Sequence, residues 1–236
     1  MSRPDGRASE QLRPVALERG ANPYAEGSCL VRFGGTLVHC TASVEAGAPG
    51  FKKGTGEGWV TAEYAMLPRA TSERTPRERN GPGGRSHEIQ RLIGRSLRAA
   101  MRTMTFGEYT IRVDCDVLQA DGGTRTASIT GGCVALADAC AWLAEQTGIA
   151  SPFGTLVAAV SVGLVDDAPC LDLSYVEDVR AGVDANIVML EPDRFVEVQG
   201  TGEHGVFSRP QLDRLVDLGQ HGITQLFALQ RAALGL

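Results

Sequence analysis

Within YTIRVDCDVLQADGGTRTAS, residues 109–128, the spacing of apolar positions changes once. Ile111, Val113, Cys115 and Val117 alternate with Arg112, Asp114 and Asp116, the period-two pattern of a half-buried strand predicted over Tyr109–Leu118. Asp121-Gly122-Gly123 then turns the chain. Hydroxyl and small residues (Thr124, Thr126, Ala127, Gly131, Gly132, Ala135) open a helix predicted to run to about Gln146. The unit is strand, glycine turn, helix.

Comparable units extend in both directions. Toward the N-terminus, strands at Ser28–Phe33 and Thr36–Thr41 flank a turn at Gly34-Gly35, and a third strand is predicted at Trp59–Met66. Ile89, Leu92, Ile93, Leu97, Met101 and Met104 keep helical spacing, which predicts a helix over about His87–Met104 with Arg85 just before it. Toward the C-terminus, strands at Thr155–Val165 and Cys170–Ser174 join through Asp166-Asp167, and a short helical turn follows at Tyr175–Ala181. Strands at Ala185–Leu190 and Arg194–Gln199 form a further hairpin. The last helix opens on the capping pattern Ser208-x-x-Gln211, with a break expected near Gly219–Gly222. Strand groups alternating with helices predict an α+β protein with mixed sheets and helices packed on them. One body of 236 residues is expected, with approximate halves 1–150 and 151–236.

Composition narrows the class. The apolar share of 43% and charged share of 22% suit an ordinary soluble protein. At 6%, aromatic residues are too few for base stacking to dominate a nucleic-acid site. The first residues are charged and carry no apolar leader run, and the longest apolar stretch, around Leu156–Val165, is too short to span a bilayer, so no membrane association is expected. The six cysteines are scattered, without C-x-x-C spacing. They read as reduced thiols in a cytoplasmic protein and give no zinc pattern.

The net charge of −5 is unevenly spread. Residues 66–102 hold nine arginines and no lysine against three glutamates. Arg69, Arg74, Arg77 and Arg79 fall in a polar, Pro/Gly-punctuated segment, Pro68–Gly84, that reads as a long exposed loop. Arg91, Arg95, Arg98 and Arg102 form a second stripe on the helix that follows. Planar guanidinium groups in this density favour forked phosphate contacts, though a solvated face or ion pairs to a neighbouring subunit would account equally for the helix stripe.

Two further segments carry candidate chemistry. At Gly123-Thr124-Arg125, unpaired N–H groups of a helix start, its dipole and one arginine converge on an anion such as phosphate. A glycine turn capped by threonine would produce the same residues. In YVEDVRAGVDAN, residues 175–186, Asp178 and Asp184 are too far apart for one face of a continuous helix. A reversal at Gly182 would bring them together around one Mg²⁺. Otherwise they are a surface residue and a turn residue. No G-x-S-x-G or Cys–His pattern supplies a protein nucleophile.

Taken in order, Arg3-Pro4-Asp5-Gly6-Arg7, Thr61-Ala62-Glu63-Tyr64, Met66-Leu67-Pro68-Arg69, Gly84-Arg85, Glu88-Ile89-Gln90-Arg91, residues 114–126, Tyr175-Val176-Glu177-Asp178, Asp184-x-Asn186 and Glu197-Val198-Gln199-Gly200-Thr201 resemble the bacterial ribonuclease PH family over nearly the whole chain. The resemblance implies a duplicated βαβα core of the ribosomal protein S5 domain 2-like type and a hexameric ring built as a trimer of dimers. It implies phosphate-dependent 3′→5′ trimming of tRNA precursors and other structured RNAs, with inorganic phosphate as co-substrate and Mg²⁺ or Mn²⁺ as cofactor. By position, Arg85, Gly123, Thr124 and Arg125 match the phosphate site, and Asp178 and Asp184 match the metal-carrying catalytic carboxylates that act with Arg125. Arg69, Arg74 and Arg77 match a tRNA-holding loop, to which the helix stripe adds Arg91 and Arg95. The alternatives are a non-catalytic RNA-binding ring subunit of the same fold and a hydrolytic metal nuclease. The latter would need a denser carboxylate cluster.

Overall fold

The computed structural model describes residues 3–236; Met1 and Ser2, which belong to the segment read above for a leader, lie outside them. Five strands form the first sheet: β1 (Val15–Arg19), β2 (Gly27–Phe33), β3 (Thr36–Ala46), β4 (Trp59–Met66) and β5 (Tyr109–Gln119), in the order β1-β2-β3-β5-β4. All neighbours are antiparallel except β4 and β5, which run parallel because α1 (Gly84–Ala99) carries the chain back between them. In the second sheet, β6 (Val157–Val165), β7 (Ala168–Leu171), β8 (Ala181–Leu190) and β9 (Arg194–Thr201) lie in the order β7-β6-β8-β9. The expectation of α+β architecture holds. Only the first sheet is mixed, however, since every pair in the second is antiparallel.

Helix α2 (Thr124–Thr147) joins the two halves. It packs on β2, β3 and β5 on one side and on β6 on the other, and fourteen of its residues are buried. By length and composition it could cross a bilayer, but it is the central core helix and its apolar surface is used inside the fold. β6, apolar except at Ser161 and Gly163, is buried along its whole length between α2 and α4 (Arg209–Leu234).

Four expectations need correction. Strand β1 gave no signal, because only Val15, Ala16 and Leu17 stand between Pro14 and a charged end, and it lies at the sheet edge. Helix α1 starts three residues early, so Arg85 is in its first turn. Gly83 and Gly84 argue locally against a helix, but the Glu78 carboxylate accepts from Gly83 N at 3.0 Å and from the Ser86 hydroxyl at 2.9 Å. The same helix ends at Ala99, where the Ala100 carbonyl accepts from Gly154 N and Thr155 N. Helix α4 runs unbroken through Gly219 and Gly222, which lie against Ile187 and Leu171.

Candidate active site

The C-terminal end of β5 delivers Asp121-Gly122-Gly123 to the start of α2. Both glycines adopt left-handed φ, 74° and 65°. A Cβ on Gly122 would sit 2.5 Å from the Leu173 carbonyl, so this turn touches the second half of the chain at a distance only glycine allows. The Thr36 hydroxyl braces the turn, donating to Gly122 O at 2.6 Å and accepting from Asp121 N at 2.9 Å, while Arg13 donates to the Asp121 carbonyl from the same side. Gly123 caps α2 without any side-chain acceptor, which leaves the first N–H groups of the helix available to an anion. The Tyr64 and Thr124 hydroxyls share a hydrogen bond of 2.8 Å at this helix start.

The second half brings the carboxylates. Asp178 ends the single-turn helix α3 (Tyr175–Asp178). The chain reverses, and Asp184 lies within β8 rather than in a turn before it. Both line one cavity of about 420 Å³ together with Arg85, Gly123, Thr124 and Arg125. Burial pushes the Asp178 carboxyl up, and the Arg85 and Arg125 guanidinium groups oppose that rise. Burial, then the neighbouring Asp178, pushes the Asp184 carboxyl up to about 6. Among the described residues neither carboxylate takes a hydrogen bond or an ion pair. Two half-buried, mutually repelling oxygen donors of this kind fit a hard divalent cation, which would relieve the repulsion. No group of three or more metal-binding side chains gathers among the described residues, so water and substrate oxygens would complete such a shell.

Residues 11–141 match the 3′ exoribonuclease family, domain 1, and residues 155–222 match domain 2 of that family. Ribonuclease PH of Corynebacterium diphtheriae is 60% identical over 236 residues, covering 99% of this chain and 98% of that protein. The chain belongs to the ribonuclease PH family. Ribonuclease PH of Corynebacterium efficiens is 58% identical, covering 100% of this chain and 97% of its own. Among solved structures, an Archaeoglobus fulgidus exosome with RNA bound to the active site superposes with a TM-score of 0.81 at 23% identity, over 95% of this chain and 91% of that one. Rice Rrp46 gives 0.79 at 22% identity, over 98% and 100%. These two share the fold. With family membership comes the chemistry of ribonuclease PH, a phosphorolytic 3′ exoribonuclease and tRNA nucleotidyltransferase that uses inorganic phosphate as co-substrate.

In this member of the ribonuclease PH family the candidate site rests on a buried ionic cluster of whose pairings the sequence motifs gave no sign. Arg3 grips Glu177 with two hydrogen bonds, 2.6 and 2.8 Å, and donates to the Leu171 and Asp172 carbonyls. Arg13 grips Asp172 in the same forked manner, at 2.9 and 2.6 Å, and Arg7 reaches both acids. Burial would push the Glu177 carboxyl up, but Arg3 and the Ser174 hydroxyl and amide hold it down at about 2. Glu177 adjoins Asp178, so the N-terminal arm fixes the short helix that carries a site carboxylate. One signal was readable: Ser174-x-x-Glu177 is a capping pattern, and the Glu177 carboxylate does accept from Ser174 N at 2.9 Å.

The arginines divide into two groups. Arg85 lines the cavity and also a second groove of about 560 Å³ beneath the loop, where Arg77 lies. Arg69, Arg74, Arg77 and Arg91 are exposed and make no ion pair among the described residues. The helix stripe is not a continuous cationic face. Arg95 pairs with Glu197 on β9 at 2.7 Å, and Arg98 lies over the Trp59 ring at 4.5 Å while donating to the Val60 carbonyl. Arg102, beyond the helix, donates to the Ser151 carbonyl.

Proposed function

We propose that the cavity between α2 and β8 is where inorganic phosphate meets the 3′ end of an RNA. What supports this reading is that Arg85, the uncapped start of α2 with Arg125, and the carboxylates of Asp178 and Asp184 line one space. The chemical problem is repulsion. A phosphate of charge near −2 about 4 Å from a phosphodiester costs about 8 kcal/mol at an effective dielectric near 20. Arg85, Arg125 and the helix start offset that cost and hold the nucleophilic oxygen in line with the terminal linkage. Mg²⁺ or Mn²⁺ on Asp178 and Asp184 would add positive charge against the non-bridging oxygens.

Phosphate oxygen forms a bond to phosphorus while the bond to the 3′ oxygen of the preceding nucleotide breaks. The products are a nucleoside 5′-diphosphate and a chain one nucleotide shorter, whose 3′ oxygen takes up a proton. Asp184 would assist that proton transfer, directly or through water. Exchange of one phosphoryl linkage for another without water makes the reaction reversible, so excess diphosphates drive addition.

The RNAs acted on in the cell are then tRNA precursors and other structured RNAs. The exposed arginines Arg69, Arg74, Arg77 and Arg91 approach the RNA backbone, while Arg95, tied to Glu197, takes a lesser part. The six buried free cysteines agree with a cytoplasmic setting. The working form is a hexamer, a trimer of dimers, and the exposed Phe195 and Val198 on the edge strand β9 agree with burial against a neighbour. Sedimentation tests the ring, which a monomer would rule out.

Incubation of a 3′-extended tRNA with and without phosphate tests the chemistry. Nucleoside diphosphates are expected only with phosphate. Equal degradation without it, releasing monophosphates, would mean hydrolysis.

A further inference from the structure

Arg125 is held by side chains from both halves of the chain. Its Nη1 donates to Glu88 Oε1 at 3.2 Å and to Gln199 Oε1 at 3.5 Å. Gln199 Nε2 donates to the same glutamate oxygen at 3.3 Å, which closes a ring of three groups. Glu88 comes from α1, Arg125 from the first turn of α2 and Gln199 from β9. These contacts use one guanidinium nitrogen. Among the described residues Nε and Nη2 donate to no protein atom, although the side chain is only 17% exposed and lines the cavity.

We infer that Glu88 and Gln199 are positioning residues that pin Nη1 and so present the other two nitrogens of Arg125 as a fork to phosphate. The inference rests on Arg125 being a phosphate ligand, as proposed above. A free arginine samples many rotamers and loses that freedom on gripping an anion. Pinning one nitrogen beforehand removes much of the loss. The ring also couples two parts of the site. Gln199 lies directly across from Asn186 in the β8–β9 register, and Asp184 is two residues along β8. The group that grips phosphate is thereby tied to the strand that carries a catalytic carboxylate.

An opposing effect has to be weighed. Glu88 is an anion beside an anion site, and its charge alone would weaken phosphate binding. Its side chain is 43% exposed, so water screens that repulsion, whereas the hydrogen-bond geometry is not screened. Orientation therefore outweighs charge. Glu88→Gln separates the two effects, because it keeps the acceptor and removes the charge.

The experiment is steady-state phosphorolysis by the full chain on a 3′-extended RNA, varying phosphate and RNA separately, with melting temperatures recorded. For Glu88→Ala, kcat/KM for phosphate falls about tenfold, the scale of one charge-assisted hydrogen bond, while KM for RNA and the melting temperature hold. Glu88→Gln stays within about twofold of wild type. Gln199→Ala falls about threefold, and combining it with Glu88→Ala adds little, because the ring acts as a unit. Normal phosphate use by both alanine variants, with Arg125→Ala impaired, overturns the positioning role and leaves the phosphate site standing. Gains in both Glu88 variants would mean that charge dominates, which also overturns it. Normal phosphate saturation in Arg125→Ala would instead remove the phosphate-ligand reading itself.

Discussion

At Asp184, burial and the Asp178 carboxylate push the acid up to about 6, against the pull of Arg125 and Arg85. An unfolded aspartate titrates near about 4. Between about pH 4 and 6 the folded chain therefore keeps a proton that the unfolded chain has released, and the fold loses stability as pH rises through that window. Asp184→Asn removes the penalty. In metal-free protein it should raise the unfolding free energy at pH 8 by about 1–2 kcal/mol, with no gain left at pH 4. Urea denaturation at the two pH values checks this, and a variant no more stable than wild type at pH 8 would contradict it. The same change should abolish phosphate-dependent trimming while leaving RNA binding largely intact, which also separates an enzyme from an inert ring subunit. Arg125, Asp178 and Asp184 were nameable as candidates from local sequence, each with a plain turn or surface reading beside it, and their assigned roles came from the family resemblance. Glu88 and Gln199 were not, because their meaning lies in a ring formed by residues 88, 125 and 199.

Among the elements, α4 shows how far local propensity can be overridden. Gly219 and Gly222 suggested a break, since glycine in a helix interior costs about 1 kcal/mol relative to alanine. The helix continues because the glycines let it approach the second sheet. A Cβ at 219 would stand 2.6 Å from Ile187 Cγ1, and one at 222 would stand 2.7 Å from Leu171 Cδ1. Gly219→Ala should therefore lower stability by about 1–3 kcal/mol despite its better helix propensity. Chemical denaturation decides the sign, and a stabilised variant would show that propensity wins. The ends of α1 were misread for different reasons. At the start, Glu78 accepts from Gly83 N and the Ser86 hydroxyl within a few residues, a contact that offsets the glycines. At the other end, the carbonyl of Ala100 is met by Gly154 and Thr155, which no local window contains. Strand β4, with its sharp alternation and flanking loops, was legible to the residue.

For the molecule as a whole, the cavity lies where the two halves meet, with Arg85, Arg125 and Asp121 contributed by the first and Asp178 and Asp184 by the second. Phosphate bound there should stabilise the entire fold by linkage, by about 2.7 kcal/mol at roughly a hundred times its dissociation constant. Thermal melts across a phosphate series should rise in wild type and stay flat in Arg125→Ala. A flat wild-type series would remove the phosphate site from this cavity.

Sequence by itself determined the α+β class, the strand–glycine–helix unit at residues 109–128, and the residue types able to handle an anion and a cation. All of these depend on periodicity, turn chemistry and side-chain inventory within a few positions of one another. Only the tertiary structure decided that Arg3 and Arg13 anchor Glu177 and Asp172, that Arg95 is occupied by Glu197, and that Arg125 meets Glu88 and Gln199. Those pairings span from 37 to 174 residues. An ion pair is specified by distance in space, and a local pattern carries no record of which distant acid a given arginine will meet.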